Sequence, residues 1–128
     1  MIQIIATDNY RGNLDSIETY WEACLFPAGN GRLLTELSAT ALVHLPNHPR
    51  MGRNFLQRQP RSVDTVTRAQ KLDALLNTLG TDTQRAEIRV YVMTDYLLLY
   101  ALVGDVIHLL AIKHHKQLSF DINLDPRF

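Results

Sequence analysis

Lys113, His114, His115 and Lys116 arrive together at the end of a long apolar run, and no other short stretch of the chain gathers as many groups able to do chemistry. An imidazole titrates near neutral pH and can take or give a proton. Two of them beside two ammonium groups raise the question of what His114 and His115 are for. The plain alternative is that His114 caps a strand end or bonds a backbone carbonyl.

The other reactive types are more scattered. His44 and His48 have the i, i+4 spacing of a helical pair, but Pro46 lies between them and works against a zinc site there. No set of three or four ligands has a convincing spacing, so neither a metal nor another cofactor is expected. Cys24 cannot form an internal bridge and has no cationic neighbour in sequence, which makes it a small buried hydrophobe. Trp21 is expected in the core. Arginine is concentrated in one segment: Arg50, Arg53, Arg58, Arg61 and Arg68, with Lys71, face Asp64 alone. Such a local excess could meet phosphate or an acidic partner, or could be a solvated loop.

The elements that must position these residues can be traced by periodicity. "IQII" is a short β-type run, after which Asp8 or Asn9 can cap a helix whose face is Tyr10, Leu14, Ile17, Trp21 and Leu25. "FPAGNG" breaks it. A second helix runs to about Leu45, burying Leu34, Leu37, Ala41 and Leu45, and "LPNHP" stops it. A third is expected where Val66, Ala69, Leu72, Leu76 and Leu79 recur before Gly80. "RAEIRVYVM" alternates, with Ala86, Ile88, Val90 and Val92 inward and Arg85, Glu87, Arg89 and Tyr91 outward. Two apolar strands joined at Gly104-Asp105 then form a hairpin, since Gly-Asp suits the positive φ of a tight turn.

This order predicts an α+β fold: an N-terminal strand, a helical hairpin, an extra helix, and a three-stranded antiparallel meander packed against the helices. With 128 residues, 46% of them hydrophobic, the chain can bury one core as a single domain. It carries no apolar leader and no run of eighteen apolar residues, so a cytoplasmic, reducing location is expected, with no membrane partner. Thirteen basic and thirteen acidic residues balance, which argues against a general nucleic-acid binder.

"ALVHLPNHPRMGR" at 41–53 and "AEIRVYVMTDYLLLYALVGDVIHLLAIKHHKQ" at 86–117 resemble toxins of the RelE/ParE superfamily. In that family an "L…P…MGR" closes the helical hairpin. An arginine-bearing strand, a tyrosine ending the next strand, a "GD"-like turn and a strand closing on "H-x-[KR]-[RQ]" follow. Arg89, Tyr100, Gly104-Asp105, His114, Lys116 and Gln117 match in order and spacing. The chain departs from the pattern in two places. Residues 54–84 form an inserted segment, expected to be helical, where the family has a short connection, and Ala101 stands where an arginine often follows the tyrosine.

The resemblance implies the toxin of a type II toxin–antitoxin, or plasmid stabilisation, system, neutralised by a cognate antitoxin, alone as a homodimer or in a toxin–antitoxin heterocomplex. A ParE-like toxin acts by binding and inhibiting DNA gyrase and needs no catalytic set. A RelE-like toxin is a metal-independent mRNA endonuclease working on the ribosome, and His114, His115, Lys116, Arg89 and Tyr100 would then be its catalytic residues, supplying acid, base and phosphate-binding cations. Arg50, Arg53, Arg58 and Arg61 would be partner-binding. The neutral net charge, Ala101 and the weakly basic end of the last strand favour the ParE-like reading over the enzyme. A third reading is an inactive member serving as an interaction module.

Overall fold

Thr7 marks the first change of structure. Its hydroxyl accepts the Tyr10 N–H at 3.2 Å, so Thr7, rather than Asp8 or Asn9, caps the first helix. A computed structural model describes this part of the chain within residues 2–54, together with Ala74 and 86–116. Before the cap lies strand β1 (Gln3–Ala6) and after it helix α1 (Asp8–Ala23). A turn through Leu25, at φ 56° and 89% exposed, leads to α2 (Ala28–Glu36), which passes through a π turn (Leu37–Ala41) into α3 (Leu42–His44). Strands β2 (Arg53–Asn54), β3 (Glu87–Val92), β4 (Tyr96–Val103) and β5 (Val106–His114) complete the described elements.

The fold is α+β, with the strands in one mixed sheet ordered β1-β5-β4-β3-β2. β3, β4 and β5 pair antiparallel in sequence order, but the sheet is wider than a three-stranded meander: β1 lies parallel beside β5 and the two-residue β2 lies antiparallel beside β3. Gly104, at φ 59°, makes the β4–β5 turn, the backbone conformation its position calls for. The hairpin is not in strict register. Leu99 faces Ala111 while Tyr100 faces Leu109, leaving Leu110 as an extra, bulged residue.

Polar side chains around the start of α1 fasten this irregular strand. Thr7 Oγ1 donates to the Leu109 carbonyl at 2.7 Å, Asn9 Nδ2 donates to the Leu110 carbonyl at 2.9 Å, and Asn13 Oδ1 accepts the Ile112 N–H at 3.0 Å. A bulge leaves backbone groups without a ladder partner, and buried backbone groups must find one. α1 supplies it.

The main core lies between helices and sheet: Tyr10, Leu33, Leu37, Ala41 and Leu45 meet Tyr96, Leu98, Tyr100, Leu102, Ile107, Leu109 and Ile112. Burial drives the Tyr10 phenol up to about 12. A second cluster, Ile88, Leu99, Ala101, Leu110 and Ala111, is drawn from strands alone, with Ala86 and Val90 against it.

Several expectations need correction. Leu33, not Leu34, is the buried leucine of α2, and Leu34 is exposed. Four-residue steps drift by about 40° each around an α-helix, and the wider π turn between Leu37 and Ala41 absorbs that drift, so Leu33, Leu37, Ala41 and Leu45 stay on one face. β3 does not have one apolar and one polar face: Ile88 is buried, Val92 is exposed, and Tyr91 packs against the main core. Cys24 is exposed and Trp21 is half-buried. The helix expected over residues 66–79 lies outside the described residues except at Ala74. Among the described residues no helix is long and apolar enough to cross a membrane.

Candidate functional site

Helix α1 presents Asn13, Ser16, Ile17, Tyr20 and Trp21 at steps of three and four, one stripe along the helix. Opposite it stand Tyr96, the first residue of β4, and Ile112 and His114 from the end of β5, with Lys116 just beyond. Together they line a half-open cleft of about 530 Å³.

Its walls are ring-bearing and mutually braced. Trp21 Nε1 donates to the Tyr96 hydroxyl at 3.0 Å. Tyr96 and His114 are direct cross-strand neighbours whose rings meet edge to face, centroids 5.2 Å apart. Tyr20 and Phe26 each make an edge contact with Trp21, at 5.1 and 5.9 Å. Gly29 of α2 lies so close that a Cβ there would fall 2.4 Å from the indole. Tyr96 of β4, Gly29 of α2, Tyr20 and Phe26 thereby hold Trp21 in one orientation. Among the described residues no carboxylate lines the cleft and its one formal cation is Lys116, whose backbone N–H donates to His114 Nδ1 at 3.1 Å.

The five residues expected to form a nuclease centre do not converge. His114 and Lys116 belong to the cleft. His115 turns away: its Nε2 lies 3.2 Å from the Met93 carbonyl and its N–H donates to the Asp95 carbonyl at 3.0 Å, so it braces the β3–β4 turn. Tyr100 sits four residues along β4 from Tyr96, roughly 13 Å at the usual strand rise, and is fully buried.

Arg89 pairs with Tyr100 across the strands, and both grip the same loop. Tyr100 Oη donates to the Pro49 carbonyl at 2.8 Å and accepts the Gly52 N–H at 3.0 Å. Arg89 Nη1 donates to the carbonyls of Gly52 at 2.6 Å and Arg50 at 3.2 Å. Burial raises the phenol above its usual range, against the opposing pull of the Gly52 N–H and the Arg89 charge. This pair is a clamp for residues 49–52, the "PRMG" of the sequence.

Of the arginines expected to bind a partner, Arg50 pairs with Glu87 at 2.8 Å and Arg53 is exposed on β2, while Arg58 and Arg61 lie outside the described residues. Among the described residues no group of three His, Cys, Asp or Glu side chains could hold a metal ion. Sequence reasoning missed Tyr96, Asn13 and Ser16, and took Trp21 for core. The available signal was the alignment of Asn13, Ser16, Ile17, Tyr20 and Trp21 on one helical face, mixed in polarity where a purely apolar stripe would have meant core.

No family model matches the chain, and no curated protein matches it.

Proposed function

We propose that the chain is the toxin of a type II toxin–antitoxin system and that it acts in the ParE-like manner, by binding and inhibiting DNA gyrase, rather than as a RelE-like nuclease. Support for the family reading comes from the motif resemblance and from a layout in which a helical hairpin lies over a sheet whose β3, β4 and β5 run antiparallel in order. The observation that carries the choice of mechanism is the separation of Arg89 and Tyr100 from His114. A metal-free phosphoryl transfer needs acid, base and cations around one phosphate. Here the tyrosine and arginine are engaged in holding residues 49–52, and His115 in holding a turn.

The test is induced expression followed by two readouts. Gyrase supercoiling is expected to fall in vitro on adding the purified chain, while cellular mRNA stays intact. Codon-dependent cleavage of translated mRNA, persisting with a chelator present, would reverse the mechanism in favour of the endonuclease. A chain that harms neither process and co-purifies with no neighbouring gene product would overturn the toxin–antitoxin assignment.

A further inference from the structure

The cleft between α1 and the ends of β4 and β5 has a lining more selective than an incidental surface hollow. Two of its polar contacts are already made within the protein: Trp21 Nε1 on the Tyr96 hydroxyl, and Asn13 Oδ1 on the Ile112 N–H. The rest of the lining is mostly apolar, with carbon from Ile17, Ile112 and the aromatic faces beside the polar groups of Ser16 and His114. A nucleobase brings several polar edge groups to a lining that is mostly apolar, and each one left unpaired there costs free energy. A phenyl or similar ring brings none, and edge-to-face packing on rings already oriented favours it.

Size and charge narrow the choice further. About 530 Å³ gives room for one large side chain with its flanking backbone. At the lip, Lys116 takes part in neither of the ion pairs formed among the described residues, Asp8–Arg11 and Arg50–Glu87. With no carboxylate in the lining among the described residues, the Lys116 charge complements a negative group beside the inserted ring.

We infer that this cleft seats one aromatic side chain of a protein partner, with a carboxylate close to it in the partner's sequence pairing with Lys116. This inference rests on the binding reading above, in which the chain works by gripping other proteins.

Trp21 is the chain's sole tryptophan, so its indole N–H gives one resonance in a ¹H–¹⁵N spectrum and reports on the cleft directly. The probe is the blocked peptide acetyl-Glu-Gly-Phe-Gly-Glu-amide, titrated into the full chain. A saturable shift of the indole resonance is expected. It should weaken by roughly fivefold in affinity with the Lys-flanked analogue, the scale of an exposed ion pair, and vanish when alanine replaces phenylalanine. Lys116→Glu should invert the order of the two charged peptides. Ser16→Tyr, at an exposed helical position on the cleft wall, should fill the space and abolish the response while thermal unfolding stays close to that of the wild type.

No indole shift with any peptide would overturn the proposal, as would a tighter response to adenosine monophosphate than to the acidic peptide. Movement of the same resonance in the peptide-free Phe120→Ala variant would give the cleft to the chain itself, and would also overturn it. The two readings can fail separately. Peptide binding by a chain that is harmless and captures no neighbouring gene product sinks the toxin assignment alone. Toxicity and antitoxin capture by a wild-type chain whose indole is silent to every peptide sink the cleft alone.

Discussion

The hydroxyl of Tyr100 and the backbone of Gly52 are in direct contact: the Gly52 N–H donates to it at 3.0 Å, and a Cβ on Gly52 would come within 2.8 Å of the same oxygen. Glycine is required here by proximity and not by a special φ. The "MGR" of the sequence thus owes its glycine to a tyrosine 48 residues away.

Tyr100→Phe is expected to leave the Gly52 N–H and the Pro49 carbonyl without their partner and to cost about 2 kcal/mol in chemical denaturation. Gly52→Ala should cost a similar amount, about 1–3 kcal/mol, through overpacking. Any loss of toxicity should track the loss of folded protein. An inert Tyr100→Phe variant of unchanged stability would instead make the hydroxyl catalytic.

Two glycines of one helix give an internal control. Gly29→Ala drives a methyl group into the indole of Trp21 and should destabilise by about 1–3 kcal/mol while shifting tryptophan emission. Gly31→Ala meets nothing within 4 Å and should stabilise by about 0.5–1 kcal/mol, as alanine does over glycine in a helix. Equal effects in thermal melts would contradict the packing described.

Thr7 both caps α1 and donates to the Leu109 carbonyl. Thr7→Val keeps the shape and removes both bonds. A loss of about 2 kcal/mol is expected in urea unfolding, and a loss below about 0.5 kcal/mol would show that the bulge does not depend on the helix cap.

His108 lies on β5 with its Nδ1 buried and unbonded among the described residues, and burial lowers its pKa below 6.5. The folded chain therefore binds fewer protons there than the unfolded chain in the window between the folded value and 6.5, so stability rises with pH across it. On acidification below 6.5 the native state should weaken, the loss being complete once pH has passed below the folded value. His108→Gln should flatten that part of the stability profile relative to wild type. An unchanged slope would place the effect on other histidines.

His114→Ala and His115→Ala should separate the two roles of the pair. The former opens the cleft wall and should change partner affinity by less than about tenfold. The latter removes a turn brace and should affect stability alone, by about 0.5–1 kcal/mol. A loss of about a hundredfold in RNA cleavage on either change would restore the nuclease reading.

The strands were legible because their cause is local. Apolar runs on either side of Gly104-Asp105 predict the β4–β5 hairpin, and the turn forms there. What the hairpin does with His114 was not legible. Counting back from the turn in strict register sets Asp95 opposite His114, whereas the bulged Leu110 brings Tyr96 there instead, and with it the aromatic wall of the cleft. A bulge set by bonds from Thr7 and Asn9, a hundred residues away, leaves no local trace. The same holds for Leu33 against Leu34, which a π turn decides, and for Tyr100, whose hydroxyl is claimed by a loop rather than by a substrate.

The parallel seat of β1 beside β5 sets a timetable for the growing polypeptide. Gln3 pairs with Val106, and Thr7 reaches Leu109 across 102 residues of sequence. Synthesis at about 5–20 residues per second delays that meeting by roughly 5–20 s, during which the first strand and the apolar stripe of the first helix have no sheet to rest on. Long-range closures of this kind slow folding, because chain entropy is lost before contacts repay it. β5 is also the neighbour of both β1 and β4, so its arrival completes two ladders at once. Translation that stalls before Val106 leaves both ladders without their shared strand, and such a product is expected to be cleared by proteolysis rather than to persist half-formed.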